Sequence, residues 1–131
     1  MARVLIVDDE LAIVESLAEI LEFAGYEVVV AANGREGLAE VAKGVDLLLV
    51  DYMMPVMDGL QMVRALRADR RHRKLPVILT SAASEAIVRS TAGVGDRQAP
   101  PWNAFLGKPF QPEVLIATLE ALLRGGRRPT A

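Results

Sequence analysis

Four short runs of mostly apolar residues in this chain lead into side chains that could do chemistry together. Val4–Val7 runs into Asp8 and Asp9, and Leu47–Val50 into Asp51. Val77–Leu79 ends in Thr80, and Asn103–Leu106 is soon followed by Lys108. Taken singly, each is ordinary. Acids ahead of a helix can cap it and face its positive end, an acid after a strand can sit in a turn, and Lys108-Pro109 alone says little. An acid pair, a further acid, a hydroxyl and a lysine in such places form a much rarer set. Three carboxylates brought together repel, and at least one resists ionisation unless a cation compensates. Mg²⁺ is suited to that task, because it takes oxygen ligands, keeps several waters and accepts phosphate oxygens. An ammonium and a hydroxyl donor complete what phosphoryl transfer requires. A carboxylate can itself be the nucleophile, giving an aspartyl phosphate.

These side chains cooperate only if one edge of the fold collects them. The hydrophobic pattern supplies that edge. Val4–Val7, Glu27–Ala31, Leu47–Val50, Val77–Leu79 and Asn103–Leu106 read as strands, and Leu47–Val50 lacks alternation, as a central parallel strand covered on both faces does. Helical spacing appears over Glu10–Ala24, from Asn33 to about Lys43, over Leu60–Arg70, more weakly over Ser84–Thr91, and over Pro112–Arg124. Gly25 and Gly44 mark helix ends, and Pro112 a helix start. Strand and helix therefore alternate five times, which predicts an α/β fold with a five-stranded parallel sheet and helices on both faces. In the flavodoxin-like strand order 2-1-3-4-5, the ligand-binding switch point lies between strands one and three. Those are the two strands followed by acids. Neighbouring strands sit about 4.8 Å apart, so Asp9 and Asp51 can share one ion.

Composition agrees with a single domain. The 131 residues are 52% hydrophobic and 24% charged, enough for one aliphatic core without staples. Cysteine is absent, which excludes a disulfide framework, a thiolate metal site and a cysteine nucleophile. A net charge of −2 gives no polyanion-binding footprint for the whole domain. No apolar run approaches the roughly 18 residues that span a bilayer, so a soluble cytoplasmic protein without a membrane or nucleic-acid partner is expected. The domain is expected over residues 1–124, with a frayed tail over 125–131.

The motifs resemble the receiver domain of bacterial response regulators, the phosphoacceptor module of two-component signalling. They are Val7-Asp8-Asp9-Glu10, the Val-Asp-Tyr-Met-Met-Pro-Val-Met-Asp-Gly run at 50–59, Leu79-Thr80-Ser81-Ala82 and Gly107-Lys108-Pro109-Phe110. The resemblance spans Arg3 to about Leu123. It implies that Asp51 is phosphorylated. Asp9 and Asp51 would ligate Mg²⁺ directly, Asp8 mainly through a bound water, and Met53 with its backbone carbonyl. Thr80 and Lys108 would contact the phosphoryl group, while Thr80 and Phe105 act as the switch pair. The resemblance further implies a cis Lys108-Pro109 peptide and a loop shaped by Pro55 and Gly59. Asp58 keeps the plain role of a turn or cap residue. The phosphoryl donor would be a histidine kinase or phosphotransfer protein, and the output a downstream protein target. The domain would be a signalling module rather than an enzyme, a monomer or a phosphorylation-dependent dimer. A chain ending soon after the fifth helix suggests a single-domain regulator. Two rivals are a pseudo-receiver scaffold that is never phosphorylated and a phosphohydrolase with an aspartyl nucleophile. The latter wants a second acid two residues after the first, where Met53 stands.

Several features depart from the pattern. Lys108 lies 28 positions after Thr80, several more than the family usually has, and Gly93–Trp102 holds two glycines and two prolines. The fourth helix is therefore expected to be short, displaced or mobile. Trp102 either stands exposed or half-buried on an altered output face, or packs in the core. Met53 and Ala82 are apolar where the family tunes access of the hydrolytic water, which predicts slower or altered self-dephosphorylation. Ser81 sits where a small residue is usual. The basic stretch Arg64–Lys74, with six lysines and arginines and the sole histidine, His72, reads as the solvated end of a helix rather than a nucleic-acid patch. Ile13 is either a partner contact or edge-of-core packing. The methionines read as gap-fillers.

Overall fold

A computed structural model describes residues 1–125. The tail expected beyond Gly125 lies outside the described residues. The elements are β1 (Arg3–Val7), α1 (Leu11–Phe23), β2 (Glu27–Ala31), α2 (Gly34–Lys43), β3 (Leu47–Asp51), α3 (Gly59–Ala68), β4 (Val77–Ser81), α4 (Glu85–Thr91), β5 (Ala104–Gly107) and α5 (Pro112–Leu123), with one 3₁₀ turn at Arg70–His72. All five strands are parallel, in the order β2-β1-β3-β4-β5.

Alternation along the strands divides the interior in two. Leu5, Val7, Leu48, Val50, Val77 and Leu79 point to one face and pack with Val41, Met62, Val63, Leu66 and Val88 from α2, α3 and α4. Val4, Ile6, Leu47, Leu49 and Ile78 point to the other and pack with Val14, Leu17 and Leu21 of α1 and Leu115, Leu119 and Leu122 of α5. Right-handed crossovers require this division. The chain moves one way from β1 to β2 and the other way from β2 onward, so the helix between β1 and β2 lands opposite the next three. Ile13 is half-buried beside the α1–α5 core.

Local chemistry sets the helix ends that matter for the sheet's carboxyl edge. Asn33 caps α2 by accepting from the Glu36 amide at 3.0 Å. Asp58 caps α3 reciprocally, accepting from the Gln61 amide at 2.8 Å while the Gln61 side chain accepts from the Asp58 amide at 2.9 Å. The loop between β3 and α3 docks on α2, with the Gly34 amide donating to the Met57 carbonyl at 3.2 Å. Met62 is fully buried and Met54 and Met57 pack against the core, whereas Met1 and Met53 are exposed, so gap-filling describes only three of the five methionines.

Three expectations change. The third helix ends at Ala68 rather than Arg70, because Asp69 caps the separate 3₁₀ turn and pairs with Arg71 at 2.9 Å. Arg67 is not a solvated end residue. Its guanidinium donates to the Pro101 carbonyl at 2.8 Å, the Asn103 Oδ1 at 2.8 Å, and the His72 and Arg73 carbonyls at 3.1 Å each. Trp102 is neither exposed nor half-buried. It is 1% exposed and belongs to the α2–α4 core, so the packing alternative holds. The fourth helix is short, with seven residues. The segment after it is tied down, since the Arg89 guanidinium donates to the carbonyls of Gly95 at 2.8 Å and Gln98 at 2.7 Å.

Candidate functional site

Strand register brings the chemically able side chains to one edge. Val7 of β1 faces Val50 of β3, so Asp8 and Asp51, the next residues, stand side by side. Asp51 faces Thr80, and Thr80 faces Leu106 of β5. The backbone continues the sheet past its strands, with the Tyr52 amide donating to Thr80 at 2.9 Å and the Lys108 amide to Ser81 at 2.8 Å. Lys108-Pro109 is cis, as expected from the resemblance. Asp8, Asp51, Thr80 and Ser81 are buried, and Asp9 is exposed at the rim.

Lys108 Nζ lies 2.9 Å from Asp51 Oδ1 and 3.2 Å from Asp8 Oδ2. One oxygen from each of Asp8, Asp9 and Asp51 lies within 4.8 Å of the others. Asp8 is also engaged on its other oxygen, accepting from the Glu10 amide at 3.0 Å. It thus forms an Asx turn ahead of α1, part of the plain role open to it. Asp51 Oδ2 has no protein partner among the described residues. Thr80 Oγ1 stands 3.4 Å from Asp51 Oδ1 and 3.5 Å from the Val50 carbonyl oxygen, long for a hydroxyl bond.

The electrostatics run in one direction. Burial raises the proton affinity of Asp51, and the neighbouring Asp8 and Asp9 add to this, against the lowering effect of Lys108. Burial alone would lower that of Lys108, but the hydrogen bonds and charges of Asp51 and Asp8 outweigh it and hold the ammonium above its ordinary range. Three acids against one lysine leave the site short of positive charge. A hard oxygen-seeking dication fits that donor set.

The surroundings are specific. A Cβ on Gly59 would lie 2.3 Å from the Asp51 carbonyl oxygen and 3.1 Å from Tyr52 Cα, so only glycine lets α3 start this close to the acid. Val56, in the same loop, has φ 69°, a left-handed conformation strained for a β-branched residue. Met53 is 70% exposed and Ala82 is exposed. Phe105 is half-buried on β5, its ring 6.2 Å from that of Trp102 and tilted by 52°. Two partners of this region carried little sequence signal. Asn103 accepts on Oδ1 from both Val77 and Arg67 at 2.8 Å, and Glu85 accepts from the Trp102 indole at 3.0 Å.

Fold and site together define a flavodoxin-like α/β domain with a cation-seeking acidic cluster and a lysine at its switch point. The chain belongs to the response regulator receiver domain family, whose model matches residues 4–120. It is thus the receiver domain of a two-component response regulator, a signalling domain. It is 40% identical over 126 residues to the response regulator MprA of Mycolicibacterium vanbaalenii, covering 93% of this chain and 50% of that protein. The MprA of Mycobacterium avium is equally similar, with 51% of its length covered. The chain thus spans about half the length of these curated relatives. Among solved structures, the chemotaxis response regulator CheY4 of Vibrio cholerae superposes with a TM-score of 0.80 at 35% identity, covering 93% of this chain and 98% of that one. The receiver domain of a signal transduction histidine kinase from Syntrophus aciditrophicus gives 0.82 at 33%, over 100% and 96% of the two chains. Among the described residues no helix is long and apolar enough to cross a membrane.

Proposed function

We propose that Asp51 accepts a phosphoryl group from the phosphohistidine of a histidine kinase or phosphotransfer protein, in the cytoplasm, and that residues 1–124 thereby switch contacts with a downstream protein. The observation that carries this reading is Lys108 Nζ held between Asp51 and Asp8 beside three clustered carboxylates. Asp9, Asp51 and the Met53 carbonyl would hold Mg²⁺. Asp8 would act through water, which its two existing hydrogen bonds favour. The bound ion would supply charge neutralisation for the incoming phosphoryl oxygens.

The chain's own groups account for the rest. Asp51 attacks phosphorus with a carboxylate oxygen, the P–N bond breaks, and its electron pair returns to the donor imidazole. The product is an acyl phosphate. Lys108, already in contact with the accepting carboxylate, moves its ammonium a short way to a phosphoryl oxygen. Thr80, 3.4 Å from Asp51 Oδ1, loses little by turning its hydroxyl to another. That movement vacates space beside β5, into which the half-buried Phe105 can rotate, and the surface of α4, β5 and α5 shifts population. Hydrolysis reverses the modification, with water attacking phosphorus and the Asp51 carboxylate leaving. A phosphohydrolase of the kind considered would want its second acid two residues after Asp51, and that position holds the exposed Met53.

Intact-mass measurement after incubation with acetyl phosphate and Mg²⁺ tests the proposal. Gain of one phosphoryl group by the wild type, and none by Asp51→Asn, is the expected result. An unmodified wild type would favour the scaffold alternative.

A further inference from the structure

The chain holds one tryptophan, Trp102. Trp102 sits three residues before Phe105, in the segment that leads from α4 into β5. Its ring is fully buried and meets the Phe105 ring at 6.2 Å. A buried indole N–H needs an acceptor. Here the acceptor is Glu85 Oε2 at 3.0 Å, in the first turn of α4. A seven-residue helix has little stability of its own, so tertiary contacts such as this one set where α4 lies.

We propose that Trp102 and Glu85 form a clamp that couples the phosphorylation state of Asp51 to α4. The inference rests on the proposed phosphorylation and adds a second position to its read-out. Phe105 pairs in register with Leu79, the residue before Thr80. Any inward movement of the Phe105 ring presses on a tilted neighbour that cannot shift without straining its bond to Glu85. The clamp thus favours the resting arrangement. Coupling is reciprocal, so removing the clamp makes the phosphorylated arrangement easier to reach.

Beryllium fluoride with Mg²⁺, a stable mimic of the acyl phosphate, is the probe. It should shift the emission of Trp102 in the full chain and leave that of Asp51→Asn unchanged. Followed by amide chemical shifts around Asp51, Glu85→Ala should lower the half-saturating concentration by about fivefold, while Glu85→Gln, which keeps an acceptor, stays near wild type. Trp102→Phe removes the donor instead and should tighten binding to the same extent. The double variant should tighten it no further, as expected of two ends of one contact. A domain that takes up the mimic with unchanged half-saturation in Glu85→Ala and in Trp102→Phe would show the bond to be structural only and overturn the clamp. A wild type that gains no phosphoryl group by mass and does not bind the mimic would overturn the phosphorylation reading, and the clamp with it.

Discussion

Replacing Lys108 by Met keeps the apolar stem and removes the ammonium that contacts Asp8 and Asp51. Each of its contacts, near 3 Å, is worth about 5 kcal/mol before solvation at an effective dielectric constant of about 20. Much of that offsets the burial of the lysine itself, and the site's open rim screens it further. Stranding two buried carboxylates should therefore cost about 3 kcal/mol at neutral pH without added metal, the low end for a broken buried pair. For a domain of this size that corresponds to a fall in Tm of roughly 10 °C. The pH dependence fixes the cause. Asp51 has a folded-state pKa above its ordinary 3.8, so its ionisation penalises the fold. The penalty is absent below the unfolded value, grows as pH rises through the folded value, and stays constant above it. Without Lys108 the folded value climbs further. The gap between variant and wild type should thus be near full at pH 7 and narrow toward pH 4. Mg²⁺ should recover part of the loss, contributing about 1.4 kcal/mol at ten times its Kd and proportionally more in the variant, whose site is more negative. Thermal melts of both proteins across pH, with and without Mg²⁺, provide the assay. Equal Tm values at pH 7, or a gap of the same size at pH 4, would refute an electrostatic role and leave only packing.

Three further outcomes follow from the site and its supports. Gly59→Ala gains about 1 kcal/mol of helix propensity but drives a methyl against the Asp51 and Tyr52 backbone, so urea melts should show a net loss of about 2 kcal/mol. A stabilised variant would mean that the α3 start can shift freely. Arg67→Lys cannot reproduce a planar fork across Pro101, Asn103, His72 and Arg73. It should cost about 2 kcal/mol and speed amide exchange across residues 93–102, and unchanged exchange there would contradict the anchoring role. Met53→Asn places a polar group where an exposed apolar one now stands, and it should shorten the lifetime of the acyl phosphate about fivefold if it supplies one hydrogen bond of about 1 kcal/mol to the attacking water. An unchanged lifetime would show that this position does not control water access.

Asp8, Asp9, Asp51, Thr80 and Lys108 could be brought together from the sequence because a parallel sheet adds a strong constraint to weak local signals. Once the alternation of strand and helix implies a parallel sheet and right-handed crossovers prune its orders to a few, the carboxyl ends must share an edge, and residue type does the rest. Glu10 illustrates what local pattern leaves out. It occupies the cap position of α1 without a side-chain bond, while Asp8 supplies the turn and also faces Lys108.

Arg67 and Trp102 were harder to read for a shared physical reason. Both are long amphipathic side chains whose polar ends find partners far along the chain, at Asn103 and Glu85. A run of arginines looks solvated until the carbonyls that accept from one of them are located, and a loop rich in Gly and Pro looks loose until its anchors are known. Arg89, Arg67 and Trp102 tie this segment to α4, α3 and the core in turn. The segment is therefore better understood as a buttress between α3 and a short α4 than as a slack connection. A buttress of this kind transmits displacement, because its contacts are directional and few. If α4 moves against this segment when Asp51 is modified, the bond between Trp102 and Glu85 and those from Arg89 to Gly95 and Gln98 are the contacts that would change.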